Sequence, residues 1–225
     1  MKESITYRFR FSDGSEAVYP SPVQESSPDH STWTALSFHQ CPNCPLPAGE
    51  QASCPLAVQL APIVDLAGGR TSQEEVKVEV SSPERTYSRT TSLQGAVGSL
   101  MGLLCATSDC PHMSFLSSLA RFHLPFANEK ETIYRVLGNY LVQQLLLQEE
   151  GETPDWEIHE LRRLYEEVGT VNRHMANRLR AASDRDAAVN ALVILDSLAR
   201  ALRFTIDEDF RNLKTLLGDA TDESL

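Results

Sequence analysis

Four of the five cysteines are followed directly by proline: Cys41-Pro42, Cys44-Pro45, Cys54-Pro55 and Cys110-Pro111. With proline at about 5% of residues in general, four such pairs among five cysteines arise by chance about a few times in 100,000. Proline fixes φ and removes a backbone donor, so each pair holds a rigid bend beside a sulfur. Cys41 and Cys44 have the C-x2-C spacing at which two sulfurs converge on one ion, and Cys54 follows after nine intervening residues. Cys110 comes from far along the chain, where a turn is expected to start after a helix. A thiol at such a start has its thiolate favoured by the helix dipole and the unpaired N–H groups. Four thiolates suit a structural zinc ion or an iron–sulfur cluster. His39 and His112 flank the same cysteines and are the alternative ligands.

The ion itself is left open. Zinc knuckles place a small residue after the second cysteine so that its N–H can donate to sulfur, and Pro45 cannot donate. A Cys-Pro dipeptide also occurs in one ferredoxin cysteine run. C-P-x-C further resembles the redox motif of thioredoxin-like proteins, though the βαβ context is absent and Pro45 and Pro47 fit poorly in a following helix. Repeated Cys-Pro dipeptides resemble haem-regulatory motifs as well, a reading that leaves the C-x2-C spacing unexplained. The plainest alternative is a set of buried thiols in a proline-rich loop. Cys105 falls inside a helix and reads as a small core residue.

Other polar groups carry less. Arg121-Phe122-His123-Leu124-Pro125-Phe126 sets a cation, an imidazole and aromatics in a break between helices; it suits a pocket wall, but more simply a satisfied core histidine. His159 and His174 fall outside the apolar seam of their helix. Asp196 is the sole charge within 189–199 and reads as the partner of Arg200 at i+4. There is no Ser-His-Asp signature, phosphate-binding glycine loop or H-E-x-x-H helix.

The elements that must position these groups follow from periodicity. Residues 4–19 alternate as a hairpin, with Ile5, Tyr7, Phe9 and Phe11 on one face and a turn at 12–15. Residues 20–32 are a Pro- and Ser-rich loop, Thr34–His39 is expected to be a strand, and Val76, Val78 and Val80 mark another. From Thr91 the period becomes helical. Thr91 with Gln94 predicts a helix to about Thr107, whose small residues Gly95, Gly98, Ser99, Gly102 and Ala106 admit a close neighbour. Asn128 with Glu131 caps a helix to about Gln148, with Ile133, Leu137, Tyr140, Leu141 and Leu145 inward. A third helix over 154–182 carries a 3-4 seam of Ile158, Leu161, Tyr165, Val168, Asn172, Met175 and Leu179. Its lone asparagine can set register. Internal pairing is the simpler use of that seam, and a homodimer through 154–182 is the alternative. Further helices are expected from Ser183, apolar almost all round, and from Thr205 to Gly218, followed by an acidic tail.

Composition bounds function. The 225 residues carry a formal net charge of −11 and 41% hydrophobic side chains. That acidity speaks against nucleic acid and anionic membranes, and the longest apolar stretches are too short to span a bilayer. An odd cysteine count without a visible signal segment points to the cytoplasm.

The string Phe38–Leu46, then Cys54-Pro55-Leu56, Ala106–His112 and Ala120–Phe126, resembles a bacterial family of uncharacterised proteins with a CPxCP…CP…CPH pattern, over about Ser37 to Leu217. The resemblance implies a bacterial cytosolic setting and no activity.

Together these readings predict an α+β chain. Residues 1–90 form a small antiparallel sheet with the cysteine loop, and 91–225 form a bundle of about five helices. Cys41, Cys44, Cys54 and Cys110 are expected to converge on zinc or an iron–sulfur cluster, in a non-enzymatic protein of interaction or sensing with an unidentified protein partner. The competing class is a redox enzyme or electron carrier using a cluster or a reactive dithiol.

Overall fold

The computed structural model describes residues 5–21, 32–67, 70–182, 189–190, 192–193, 196 and 199. The chain is α+β. Strands β1 (Ile5–Phe11), β2 (Glu16–Ser21), β3 (Glu75–Ser81) and β4 (Thr86–Ser92) form one antiparallel sheet in the order β2-β1-β3-β4. Helices α1 (Pro55–Ala67), α2 (Leu93–Thr107), α3 (Ser117–Arg121), α4 (Glu129–Glu149) and α5 (His159–Ala182) complete the regular structure. The hairpin alternation sets the register: Tyr7, Phe9 and Phe11 lie opposite Val80, Val78 and Val76. All six are buried beneath α2 and belong to one apolar cluster that continues through α1, α4 and α5.

Thr34–His39 is not a strand. Thr32–Thr34 is a short 3-10 turn, and only an isolated bridge, Ala35 to Ser53, follows it. The carbonyls of Trp33, Ala35 and Leu36, which a ladder would use, instead accept from the buried Arg178 guanidinium of α5 at 2.7–2.8 Å. Helix α1 was hidden in the sequence by its prolines. Pro55 occupies the first helical position, where its missing N–H costs nothing, while Pro62 sits inside. Leu56, Ala57, Leu60 and Ile63 nevertheless bury at helical spacing.

Helix α2 follows β4 without a loop, and its cap is Ser92 rather than Thr91, accepting from Gly95 N at 3.4 Å. Helix α4 has the expected capping box, with both Asn128 and Glu131 side chains engaged. Its inner face, however, is Ile133, Val136, Leu137, Tyr140 and Gln144; Leu141 is 40% and Leu145 50% exposed. Two polar ties set that rotation. Tyr140 donates to Asp155 at 2.8 Å and the Asp155 amide donates to Gln144 at 2.8 Å. Holding 140 and 144 inward turns 141 and 145 about 100° around the helix.

Helix α5 begins at His159 rather than 154 because the Asp155 carboxylate accepts from the His159 and Glu160 amides, at 3.1 and 2.7 Å. All seven seam residues of α5 are buried within this chain. The helices expected over 183–200 and 205–218, and the tail, lie largely outside the described residues. Among those described, Leu192 and Ala199 are buried and Val193 is half exposed. Asp196 accepts from Asn172 at 3.5 Å; Arg200 lies outside.

Candidate functional site

The proline beside each sulfur has a local cause at three of four positions. Cys41–Cys44 is a β-turn closed by the Cys44 amide on the Cys41 carbonyl at 3.0 Å, with Pro42 at the second position that proline favours. That turn folds the two cysteines back toward each other. Cys54 precedes α1, its carbonyl accepting from Val58 N at 3.0 Å, and Pro55 opens the helix. Cys110 caps the 3-10 turn Pro111–Leu116 in the same manner. At these three sites the proline after cysteine opens a turn or helix, and Cys110 before it is extended. This placement leaves the cysteine at an end rich in unpaired N–H groups. Pro45 has no such explanation in the structure.

The loop is held firmly. The Cys54 amide donates to Thr34 O at 2.8 Å and the Leu36 amide to Ala52 O at 2.9 Å, so the strand-like stretches before Cys41 and Cys54 lie side by side. Arg178, only 1% exposed, fastens the first of these from below. His112 donates through Nε2 to the Asn43 carbonyl at 2.6 Å, its Nδ1 stands 3.9 Å from Glu167, and the Asn43 amide donates to the same carboxylate. His112, Asn43 and Glu167 thus bind the C-x2-C turn, the Cys110 segment and α5 together. That makes His112 a brace of the turn, the kind of outer contact that orients ligands. His39 is exposed at a positive φ of 46° and stacks edge-on against Phe38.

The four cysteines lie within electrostatic reach of one another. Burial pushes the Cys41 thiol up to about 12, with the charges of Cys54, Cys110 and Cys44 adding to it and that of Arg178 opposing. Burial likewise takes Cys110 to about 11; the His112 and Met113 amides that donate to its sulfur work the other way, while Cys54 and Cys44 raise it further. None of the five cysteines is in a disulfide. Cys105, inside α2, is pushed to about 12, chiefly by burial and then by Cys110. Among the described residues, no three His, Cys, Asp or Glu side chains stand in an ion-gripping arrangement. Cys41 and Cys110 are therefore disfavoured as lone thiolates near neutral pH.

The donor set nonetheless fits a cation. Soft sulfurs, turn amides aimed at Cys110, and a buried guanidinium all favour net negative charge, which four thiolates around a divalent ion would carry. Arg178 is the residue that sequence reasoning missed. It lies three positions after Met175 on the seam of α5, and an arginine there offered no signal of a fully enclosed cation.

Fold and site define an α+β domain in which a braced cysteine loop is fastened to the long helix α5. The chain belongs to the family described as a domain of unknown function (DUF6901), whose model matches residues 5–217. Comparison with curated proteins and with solved structures gave no match. Among the described residues, no helix is long and apolar enough to cross a membrane.

Proposed function

We propose that this is a metal-binding, non-enzymatic protein of a bacterial cytoplasm. Cys41, Cys44, Cys54 and Cys110 hold one zinc ion or iron–sulfur cluster that joins the loop to the helical half, in a role of interaction or sensing. The observation that supports this is the grouping of four thiols from two distant parts of the chain: Cys44 and Cys54 act on both Cys41 and Cys110, and Cys41 also feels a sealed guanidinium that has no carboxylate partner among the described residues. A cation held among them would compensate the thiolates that bind it. Bound there, the ion would supply folding energy; a cluster would add a redox couple. The α5 seam is occupied by the protein's own core, so a partner would meet another face.

Purification under argon followed by elemental analysis and an absorption spectrum tests this reading. About one zinc per chain without colour, or iron with sulfide and a brown colour, is expected. Less than about 0.2 metal per chain, against the full occupancy of structural sites, sinks it. Redox cycling of a brown protein without loss of cluster would favour the electron-carrier alternative.

A further inference from the structure

The small-residue stripe of α2 borders open space. Gly95, Gly98, Ser99 and Gly102 line one side of a cavity of about 320 Å³, with Leu119, Leu124 and Val136 among its other described lining residues. Small-molecule sites generally occupy about 300–1,000 Å³, with apolar walls and a few convergent polar groups. This cavity lies at the small end of that range.

Its charged side chains among the described residues are of one sign. Arg89 and Arg135 line it, and no aspartate or glutamate does among the described residues. The chain has 31 acidic residues against 20 Lys and Arg, so a described wall whose charges are all cationic is a departure from the composition. Glu131 acts on Arg135 from the cap of α4 and Asp196 accepts from Asn172, but neither lines the cavity. The Arg135 guanidinium is half-buried. Its Nη2 donates to the carbonyls of Leu119 and Phe122, at 3.2 and 2.7 Å. Its three remaining N–H donors have no protein acceptor among the described residues.

A second group points the same way. Tyr165, on α5, is 6% exposed and lines the cavity, yet its hydroxyl makes no hydrogen bond among the described residues. Arg135 is close enough for its charge to act on that phenol. By contrast the neighbouring polar groups are fully engaged: Tyr7 bonds Ser99 at 2.7 Å and His123 at 2.6 Å, and Ser99 accepts from the Phe126 amide at 2.9 Å. His123 and Arg135 also border a wider cleft of about 1,220 Å³, which offers an approach from outside.

We propose that this cavity binds a small amphiphilic carboxylate. The carboxylate accepts from Arg135 and Tyr165, and a short acyl or aryl body lies along the glycines of α2. The reading does not depend on the metal assignment at the cysteine loop.

Calorimetric titration of the full chain with octanoate and benzoate, each beside its neutral counterpart (octanol and benzyl alcohol), tests it. At least one carboxylate should bind with one-to-one stoichiometry and at least tenfold more tightly than its alcohol. Arg135→Gln should weaken that binding by tenfold or more. Should that variant fail to fold, Tyr165→Phe carries the test: it removes an oxygen with no protein partner, so the melting temperature should hold or rise while affinity falls several-fold. Absence of saturable binding by either acid at millimolar concentration overturns the proposal. So does equal binding of acid and alcohol, or unchanged affinity in Tyr165→Phe.

Discussion

Two arginines, one beneath the cysteine loop and one beside the α2 cavity, are both held by backbone carbonyls instead of carboxylates. Arg178 is sealed, and its two terminal nitrogens reach three carbonyls of the segment that leads to Cys41. Arg135 reaches two carbonyls with one nitrogen and turns the rest of its fork toward open volume. The contrast shows how the same side chain serves different ends. A sealed guanidinium that ties three backbone carbonyls together, with its Nε left unpartnered, shapes the chain, and its charge acts on the neighbouring Cys41. One that keeps free donors facing open volume is a receptor for an anion.

The largest mutational effect expected from this division lies at the cysteine side. Arg178→Met leaves three carbonyls without their donor, and at about 1–3 kcal/mol per unsatisfied buried group it should lower the unfolding free energy in urea by about 3–5 kcal/mol. Arg178→Lys should recover only part, since an ammonium cannot span three carbonyls as the planar fork does. A loss below about 1 kcal/mol in the methionine variant would show that the loop is fastened elsewhere.

The cavity side should reveal itself through acid. Burial, with a smaller effect of the Arg135 charge, takes His123 down from 6.5 to about 3. The folded protein therefore holds this histidine neutral while the unfolded chain takes up a proton below about pH 6.5. Its contribution to stability is complete above the unfolded value and is lost as pH falls toward 3. At pH 5 the loss is about 2 kcal/mol, at 1.36 kcal/mol per pH unit. His123→Gln should flatten this part of the stability profile between pH 6.5 and 4; an unchanged slope would mean that the imidazole is solvated.

A smaller effect is expected of Tyr7→Phe, which removes the hydroxyl joining Ser99 to His123. About 1–2 kcal/mol should be lost, with the cysteine loop unaffected. A simultaneous change in metal content would break the independence of the two regions.

Much of this arrangement was legible in the residues. Alternation gave the β1–β2 hairpin and the inward face of β3; the Asn128 capping box and the α5 seam stand where their spacing puts them. What was not legible depended on partners distant in sequence. Whether 34–39 pairs as a strand was decided by Arg178, more than 140 positions away. The rotation of α4 was decided by Asp155, so Leu141 and Leu145 face outward despite their apolar spacing. Strand β4, Thr86–Ser92, is too polar to show a period of two, and α1 was masked by Pro55 and Pro62. The four cysteines were singled out by type and spacing alone. The brace of His112, Asn43 and Glu167 needed the fold.

The central claim is that sulfurs from the loop and from the Cys110 turn share one ion, and metal stoichiometry in two single variants tests it most directly. Cys110→Ser and Cys105→Ser, purified anaerobically beside the unaltered chain, differ only in which buried thiol of the same region is lost. Full metal content in Cys105→Ser with loss of most of it in Cys110→Ser is the predicted result. Equal metal content in all three, or none in any, would contradict it.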